Sequence, residues 1–470
     1  MTEQTSSFYS SNEPVFPKRV KGRFRSLKWV FMALTLSVYY LTPWLRWDRG
    51  PELPNQAVLV DLANRRFYFF WIEIWPHEFY FIAGLLIMAG LGLFLITSAL
   101  GRAWCGYACP QTIWSDLFLI VERWIEGDRN ARLRLFHANW SFRKLRLRII
   151  KWLVWLLIGV ATGGAWVFYF ADAPTLFRDL VNFQASHVTY STIGFLTTAT
   201  FTLGGFAREQ VCIYMCPWPR IQAAMIDNTT LTVGYRDWRG EPRGKPRQVE
   251  TGDCIDCKLC VAVCPMGIDI RDGQQLECIT CALCIDACDG VMHKLGHTRG
   301  LIDYLALSDE PLERMGQKPR SIWYHLLRSR TLFYTFLWTL VGLTLVYALF
   351  IRVDFTTLVA PIRNPNYIVM ADGALRNAYH VKLRNQSNEP RLFKISVKGD
   401  PIWVLQLEGS PYHSVEVAAD QTLGLRAYVT ATQASVSSKT HSTALRFWFE
   451  DLASGTRSFV DTTFNGKQEK

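Results

Sequence analysis

The sequence predicts a membrane α-helical fold of five transmembrane helices, with a compact α+β domain inserted before the fifth helix and an all-β sandwich at the C terminus. Three observations favour this fold. Half of the 470 residues are hydrophobic and 14% are aromatic. Eight of the twelve cysteines lie within residues 254–288. Beyond residue 352, apolar residues alternate with polar ones, which is typical of half-buried strands.

Five stretches are long and apolar enough to cross a hydrocarbon core, which takes about 20 residues. They are Trp29–Leu45, Phe79–Gly101, Trp152–Ala171, Val188–Ala207 and Thr331–Ile351. Basic residues gather before the first stretch and between the second and third, and such clusters mark the cytoplasmic side of an inner membrane. The lipid bilayer therefore explains the net charge of +11, and no nucleic-acid partner is expected.

This topology predicts five regions in a bacterial inner-membrane protein. They are a cytoplasmic segment (1–28), a four-helix membrane domain (29–235), a cytoplasmic domain with linkers (236–330), the fifth transmembrane helix (331–351) and a periplasmic domain (352–470). The Gly- and Pro-rich residues 236–250 predict one of the linkers. Every cysteine falls on the predicted cytoplasmic side, where disulfides are rare, so we interpret the thiols as metal ligands.

The cytoplasmic domain contains two complete four-cysteine runs with the spacing C-x2-C-x2-C-x3-C. This spacing is typical of a ferredoxin with two [4Fe-4S] clusters, in which the fourth cysteine of each run ligates the other cluster. Structural zinc normally uses separated cysteine pairs and is disfavoured. The predicted ligands of one cluster are Cys254, Cys257, Cys260 and Cys288. Those of the other are Cys278, Cys281, Cys284 and Cys264.

The membrane part contains a duplicated motif, C-x-Y-x-C-P, at the end of the second and fourth predicted spans. Its cysteines are Cys105 and Cys109 in the first copy and Cys212 and Cys216 in the second. A three-residue gap predicts that both thiols of a pair share one helix face. A pseudo-twofold arrangement of the two halves would then bring all four together.

Soft thiolates, with Met215 nearby, favour copper as Cu(I) at these four cysteines, which we predict to be both catalytic and metal-binding. Two alternatives stay open. Small buried cysteines also pack at helix ends without any ligand, and a further iron–sulfur centre would use the same thiols. The acidic residues Glu122, Glu126 and Asp128 after the first motif are expected to form a solvated helix face.

The C-terminal region predicts strands of an immunoglobulin-like sandwich. Its alternating apolar residues include Phe393, Ile395 and Val397, and similar short runs recur between turn signals such as Ser454-Gly455. The other runs contain Val415 and Val417, Leu425, Ala427 and Val429, and Leu445, Phe447 and Phe449. Several short strands at such intervals are typical of a β-sandwich.

Long segments carry a family resemblance. They are AGLGLFLITSALGRAWCGYACPQTIWSD, VERWIEGDR, FAREQVCIYMCPWPRIQAAMID, RGEPRG and the cysteine-rich GDCIDCKLCVAVCPMGIDIRDG through CIDACDGVM. Over nearly its whole length the chain resembles the polyferredoxin-type cytochrome c oxidase accessory protein family called CcoG, FixG or RdxA. The resemblance implies five spans, a dicluster ferredoxin domain and an immunoglobulin-like periplasmic tail.

The resemblance also implies a function, which is reduction of Cu(II) to Cu(I) for assembly of the cbb3-type oxidase. Copper would then bind at the paired C-x3-C-P cysteines, and the oxidase or its assembly factors would be partners. Two other functions fit the residues. One is a quinol-linked electron-transfer subunit similar to the membrane ferredoxins of nitrate reductase systems, and the other is a non-redox metal-binding assembly scaffold. The electron donor is not identified by any motif.

Overall fold

The structure is a computed structural model. It describes residues 14–50, 53–244, 251–387, 389–399, 403–433, 435, 438 and 440–467. The chain forms two compact units, one within residues 1–345 and one within residues 346–470, to which Gly50 and Leu53 also belong. The first unit carries the twelve cysteines and the second is built of strands.

Sixteen α-helices are present in the described residues. They are α1 (Arg23–Leu41), α2 (Tyr80–Leu100), α3 (Ala103–Tyr107), α4 (Pro110–Ile125), α5 (Arg129–His137), α6 (Phe142–Val167), α7 (Ala173–Val181), α8 (His187–Ala199), α9 (Arg208–Gln210), α10 (Trp218–Met225), α11 (Asp237–Gly240), α12 (Leu259–Val263), α13 (Leu283–Leu295), α14 (Glu310–Arg314), α15 (Ile322–Leu326) and α16 (Ser329–Phe350). Two π-helical segments, Thr200–Ala207 and Val211–Met215, flank α9.

Within the described residues, three helices are long and apolar enough to cross a membrane, namely α2, α6 and α16. They correspond to the second, third and fifth predicted spans. The first predicted span lies in α1, which starts among basic residues and ends at Leu41. The fourth is divided between α8 and the π-helical segment that follows it. α1 has 19 residues but begins among charged ones, and the fourth segment is divided between a 13-residue α-helix and a π-helical segment. The count of five spans therefore stays a prediction.

A small antiparallel sheet before α2 consists of β1 (Val58–Asp61), β2 (Arg66–Phe69) and β3 (Ile72–Ile74). Sequence analysis assigned these residues only to a segment between spans. No alternation in the sequence marks these strands, because the more exposed neighbours of the buried Leu59 and Tyr68 are also apolar. The backbone N–H of Val60 donates to the carbonyl of Tyr169 at 2.7 Å, which ties the sheet to the end of α6.

The cysteine-rich region is an α+β domain. Its two cysteine runs lie between β4 (Thr232–Tyr235) and β5 (Ile302–Leu305), which pair antiparallel. Val233, Ile270, Ile285 and Ile302 form a buried apolar core with Cys260. The strand pair therefore closes the domain around both runs.

The predicted linker at 236–250 is packed against this domain in its described part. Arg236 Nε lies 2.6 Å from Glu313 Oε2, and Arg239 pairs with Asp253. Residues 245–250 of the prediction lie outside the described residues. The Gly and Pro pattern could not reveal this packing, because the carboxylate partners of the two arginines come from distant parts of the sequence.

The second unit is a two-sheet β structure, as the alternating pattern predicted. Its strands are β6 (Phe355–Pro361), β7 (Ile368–Val369), β8 (Leu375–Asn385), β9 (Arg391–Lys398), β10 (Val404–Leu407), β11 (Ser414–Val417), β12 (Thr422–Ala431), β13 (Ser442–Asp451) and β14 (Arg457–Asn465). One sheet has the order β10-β12-β8-β6, with β7 also paired to β8, and the other has the order β11-β9-β13-β14. The core side chains alternate along the strands, as Phe393 and Ile395 do in β9 and Phe447 and Phe449 do in β13. The all-β prediction is therefore confirmed.

Candidate iron–sulfur and thiol site

The two cysteine runs fold in the same way. In each run a residue with left-handed backbone precedes a helix: Lys258 (φ 55°) precedes α12 and Ala282 (φ 58°) precedes α13. Asp256 and Thr280, two residues earlier, also have positive φ. Such angles are uncommon outside glycine, and here they turn the chain tightly between successive cysteines.

Each run contributes to a cavity, and the fourth cysteine of each run faces the cavity of the other. One cavity is lined by Cys254, Cys257, Cys260 and Cys288. The second is lined by Cys264, Cys278, Cys281 and Cys284, with Cys260 at its border. Apolar side chains complete the wall of the second cavity, whereas Lys258 and Arg271 also line the first. Four thiols are the number that a [4Fe-4S] cluster takes, so the residues present fit one such cluster in each cavity.

Burial raises the pKa values of five of these thiols. The pKa rises to about 11 for Cys260 and Cys278 and to about 12 for Cys264 and Cys288. Burial also raises the pKa of Cys284 well above its ordinary value. Ligation by these cysteines must therefore release protons, which makes loading of the site more favourable as the pH increases.

The two cysteines of each C-x3-C-P motif do not lie on one helix face, where the sequence predicted them. Cys105 lies in α3, but Cys109 has an extended backbone (ψ 129°) and begins α4. Cys216 is likewise extended (ψ 125°) after the π-helical turn that contains Cys212. The prediction that both thiols of a pair share one helix was wrong, because a residue that precedes proline is forced away from the helical conformation.

The two motifs nevertheless share one local structure. The backbone N–H of Cys109 donates to the carbonyl of Trp104, and that of Cys216 donates to the carbonyl of Val211. In both cases the acceptor is the residue just before the first cysteine of the motif. The preceding helix also breaks at equivalent positions, four residues before that cysteine, at Gly101 (φ 59°) and Arg208 (φ 23°). The duplication seen in the sequence is thus also a duplication of backbone geometry.

The first motif lies directly against the loop that carries Cys281. A Cβ atom at Gly106 would stand 2.6 Å from the carbonyl oxygen of Ile279 and 3.0 Å from the Cα of Cys281. Tyr107 Oη donates to the carbonyl of Cys281 at 3.1 Å. Glycine is required between Cys105 and Tyr107 because any side chain would push the two loops apart.

The second motif approaches the same cavity from another side. Cys212 and Cys105 pack in one apolar cluster with Cys264 and Cys281. Two cysteines of the membrane part therefore contact the neighbourhood of the cavity lined by Cys264 and Cys281. The cavity of Cys254 lies in a different apolar cluster.

The structure brings the four thiols of the motifs into one neighbourhood. Burial, together with the neighbouring Cys109, Cys105 and Cys216, raises the pKa of Cys212 to about 12. Burial also raises the pKa of Cys105, although Arg102 opposes the rise. Among the described residues, no three Cys, His, Asp or Glu side chains converge on a position for one metal ion. The thiols are therefore neighbours but not a closed ligand set.

Two of the three acidic residues after the first motif, Glu122 and Glu126, are buried, contrary to the expected solvated face, whereas Asp128 is exposed as expected. Glu122 pairs with Arg132 and Arg208, and Lys151 Nζ lies 2.8 Å from Glu126 Oε1. Burial would raise the pKa of Glu122, but Arg208, Arg132 and Lys151 outweigh it and lower the pKa. The solvated-face prediction was wrong for Glu122 and Glu126 because these cations come from helices that sequence spacing could not place beside α4.

Comparison with known proteins agrees with this architecture. A family model described as a 4Fe-4S dicluster domain matches residues 207–307, and one described as the IG-like fold at the C-terminal of FixG matches residues 345–467. A model of a 4Fe-4S binding domain matches residues 81–127, which contain the first motif.

Relatives match nearly the whole chain. Protein RdxB of Cereibacter sphaeroides is 62% identical over 99% of this chain and 98% of its own length. Protein RdxA of the same organism is 56% identical over 97% of this chain and 98% of its own. Nitrogen fixation protein FixG of Rhizobium meliloti is 51% identical over 97% and 93%. The chain belongs to the FixG/RdxA family. It is an iron–sulfur electron-transfer protein with 4Fe-4S binding domains and an immunoglobulin-like C-terminal domain.

Sequence reasoning missed several residues that support the thiols in this FixG/RdxA-family protein. The Cys105 thiol donates to Gln222 Oε1 at 3.2 Å, and the fully buried Gln222 also donates to Thr97. Arg102 donates to the carbonyl of Leu276, just before Cys278. A glutamine six residues after Cys216 carries no recognisable motif, so only the fold reveals its contact with the other copy.

Proposed function

We propose that this protein reduces Cu(II) to Cu(I) at the thiols of the C-x3-C-P motifs, using electrons from two [4Fe-4S] clusters. Copper is the substrate in this proposal, and the protein is a cupric reductase. The observation that carries it is the contact between the first motif and the Cys281 loop, at Gly106 and Tyr107. An acceptor site held against a cluster loop is suited to short-range electron transfer.

The lining of the two cavities supports crossed ligation in the proposed cluster sites. We assign Cys288 to the cluster of the first run and Cys264 to that of the second, because each faces that cavity. When bound, such clusters supply single electrons. The chain contributes four thiols to each site, and apolar side chains surround the site of Cys264, whereas Cys257 of the other site is exposed.

Thiolates bind Cu(I) more strongly than Cu(II), so a thiol site favours uptake of one electron by the metal. Cu(II) plus one electron gives Cu(I), for which two thiolates are a sufficient ligand set. A pair of the neighbouring cysteines can therefore serve without a closed three-ligand site. Met215 lies between Cys212 and Cys216, is 63% exposed, and offers a further soft ligand.

The charge pattern supports a bacterial inner-membrane location with five spans. On this proposal the cysteine-rich domain is cytoplasmic and the immunoglobulin-like domain is periplasmic, where the cbb3-type oxidase or its assembly factors would be partners. A reporter that is active only in the periplasm should work when fused after Lys470 and fail after Gly244. Activity at Gly244, or none at Lys470, would contradict the topology.

The test of copper reduction is a variant with serine at the four motif cysteines, Cys105, Cys109, Cys212 and Cys216. We expect the anaerobically purified variant to keep about eight irons, as two clusters require, and to keep their EPR signals. It should lose Cu(I) binding and reduce Cu(II) much more slowly than the parent. Unchanged copper binding and reduction would make these cysteines packing residues.

Iron analysis of the same variant also tests whether a further iron–sulfur cluster, and not copper, occupies the four motif cysteines. The 4Fe-4S model that matches residues 81–127 favours a further cluster at these thiols. A parent protein with about twelve irons, falling to about eight in the variant, would assign the site to that cluster. Clusters that stay oxidised in the presence of dithionite would instead support a non-redox scaffold.

A further inference from the structure

The basic residues near the start of α6 lie on two faces of the helix, and those of one face have partners within the protein. Lys144 Nζ donates to the carbonyl of Phe136 at 3.0 Å. Arg148 and Lys151 pair with Glu126, at 3.7 Å and 2.8 Å. Lys144, Arg148 and Lys151 are spaced four and three residues apart, so they form one row along the helix. This row faces the interior of the protein.

The other face carries two arginines without such partners. Arg143 and Arg146 are both exposed, and their spacing of three residues places them on the same face of the helix. Neither forms an ion pair with any residue that the structure describes. No Asp or Glu occurs in the sequence between residues 129 and 171, so the neighbouring chain offers no carboxylate. Two positive charges are therefore uncompensated on one face of α6.

Arginines also flank the other two membrane-length helices, α2 and α16, but these arginines are already engaged. Arg328 and Arg330, at the start of α16, both pair with Asp227. Arg102, which follows α2, is buried and donates to the carbonyl of Leu276. The two exposed arginines of α6 differ from these in having no partner within the described ranges.

A row of exposed apolar side chains continues the face of Arg146 along α6. It consists of Ile149, Ile150, Leu153 and Leu157, of which Leu157 is 67% exposed. These residues follow at intervals of three and four, so they lie in line with the arginine. Leu157 stands about 16 Å beyond Arg146, at about 1.5 Å per residue, and half of a hydrocarbon core measures about 15 Å. The face therefore has the length of one lipid leaflet, with positive charge at one end.

Aromatic side chains lie at the charged end of this face. Trp140 and Phe142 are 72% and 82% exposed, and the Trp140 ring lies 5.3 Å from Lys144 Nζ. Exposed tryptophan is enriched where a membrane helix passes from the hydrocarbon to the headgroup layer. The arginines are therefore at the level of lipid headgroups when α6 crosses a membrane.

We propose that this face of α6 binds an anionic phospholipid, whose phosphate contacts Arg143 and Arg146 and whose acyl chain covers the apolar row. Guanidinium groups donate charge-assisted hydrogen bonds, and phosphate oxygens accept them. A zwitterionic lipid is less suited, because its ammonium group would stand near two uncompensated cations. An acidic protein segment offers the negative charge but no hydrocarbon chain joined to it.

This site is more specific than the general excess of basic residues on the cytoplasmic side of membrane proteins. That excess orients a span and is satisfied by any Lys or Arg nearby, whether or not a carboxylate neutralises it. Selection of an anionic lipid requires exposed cations without a counter-charge, in line with an apolar row. The inference does not depend on copper reduction.

Photo-crosslinking of the full-length protein in detergent locates the lipid. The probe is phosphatidylglycerol with a diazirine on its acyl chain, followed by mass mapping of the labelled peptides. We expect adducts within residues 146–157 that excess phosphatidylglycerol displaces and phosphatidylcholine does not. Adducts on α16 should be displaced equally by either lipid. Equal displacement by both lipids at residues 146–157 would make this face an ordinary lipid contact and overturn the proposal.

Matched double variants test the arginines, with affinity measured by native mass spectrometry during a phosphatidylglycerol titration. Arg143→Gln with Arg146→Gln removes the proposed contacts. Lys294→Gln with Arg299→Gln removes the same charge from exposed positions in the cysteine-rich domain. We expect the affinity to fall about twenty-fivefold in the first, because each basic residue beside an anionic lipid contributes about a fivefold gain. The second should bind as the parent does, and equal affinities in the two double variants would contradict the site.

Competition separates a lipid from the other sources of negative charge. Glycerophosphoglycerol, which is the same headgroup without acyl chains, should not displace the bound lipid, and polyglutamate should not displace it either. Displacement by the headgroup alone would assign a free-phosphate site, and displacement by polyglutamate would assign an acidic protein partner. Either result would overturn the lipid assignment. All the arginines and lysines that are replaced are exposed, so equal iron content and melting temperature should confirm that both double variants fold as the parent does.

Discussion

The two C-x3-C-P motifs have the same backbone but different surroundings. The first is docked: Gly106 allows it to touch the Cys281 loop, and Tyr107 is buried with 7% exposure. In the second, isoleucine replaces the glycine, and Tyr214 is 65% exposed. A duplicated motif has thus specialised, with one copy pressed against the cluster domain and the other more open. The difference depends on single residues between identical cysteines.

The largest expected effect concerns the residue that joins the two copies. Glu122 lies on α4, which starts at the first motif, and pairs with Arg208, which lies four residues before Cys212. We expect Glu122→Gln to lower the free energy of unfolding by about 3 kcal/mol, because it leaves buried cations without a counter-charge. Denaturant titration in detergent measures this.

The control for that measurement is Asp461→Asn, which removes the partner of an exposed arginine, Arg446, in the second unit. The unfolding midpoint of this variant should equal that of the parent, since exposed pairs contribute little. If Glu122→Gln, Asp461→Asn and the parent all had the same unfolding midpoint, the buried ion-pair network would not stabilise the fold.

Acidification should remove the contribution of Glu122. The pKa of this carboxyl is lower in the folded state than its ordinary value of about 4.5. Its stabilising effect is therefore fully present above that ordinary value and is lost as the pH falls through the lowered pKa. The difference in stability between the parent and Glu122→Gln should accordingly be constant near neutral pH and shrink in acid. A difference that grew with acidification would contradict this sign.

The second-largest expected effect concerns only the first motif, which packs against the Cys281 loop. In Gly106→Ala the added Cβ meets backbone atoms that cannot move aside, so we expect a loss of about 2 kcal/mol in stability and slower Cu(II) reduction. Gly290 in α13 offers the matched control, because nothing lies within 4 Å of a Cβ atom there. Gly290→Ala should be neutral or stabilising, since alanine favours a helix over glycine. Equal losses in both variants would show that the close approach at Gly106 has no special role.

The smallest expected effect concerns the tyrosines of the two motifs, Tyr107 in the first and Tyr214 in the second. Tyr107→Phe removes the hydrogen bond to the Cys281 carbonyl and should lower the free energy of unfolding by about 1 kcal/mol. It should also shift the reduction potential of the nearer cluster, because hydrogen bonds around a cluster tune its potential. Tyr214→Phe changes an exposed ring and should do neither. Redox titration followed by EPR compares them, and identical potentials in parent and Tyr107→Phe would contradict the coupling.

Local spacing predicted much of the site. The spacing of the cysteines identifies the two runs. The tight loops at Lys258 and Ala282 then place these cysteines around two cavities, each of which is lined by cysteines of both runs. The strand alternation at Phe393 and Ile395 likewise depends only on near neighbours. The loops and strands are predictable because each is decided within a few residues, whereas the crossing follows from the repetition of the whole four-cysteine spacing.

What the sequence did not reveal depends on distant partners. The closeness of Gly106 to Ile279, the thiol contact of Gln222 and the burial of Glu122 all join segments that lie 10 to 173 residues apart. The extended backbone at Cys109 was predictable in principle, because proline follows it, but the spacing argument for one helix face ignored this restriction.

On the proposed function, the cluster of Cys278, Cys281, Cys284 and Cys264 adjoins the thiols of the C-x3-C-P motifs, where Cu(II) is reduced. The most direct test is Cys264→Ser, with EPR of the dithionite-reduced protein and the rate of Cu(II) reduction measured on one sample. We expect the signal of this cluster to be lost or altered and the cluster of Cys254, Cys257, Cys260 and Cys288 still to be reduced. We expect Cu(II) reduction nearly to stop. Loss of the other cluster, or Cu(II) reduction at the parent rate with the near cluster gone, would contradict it.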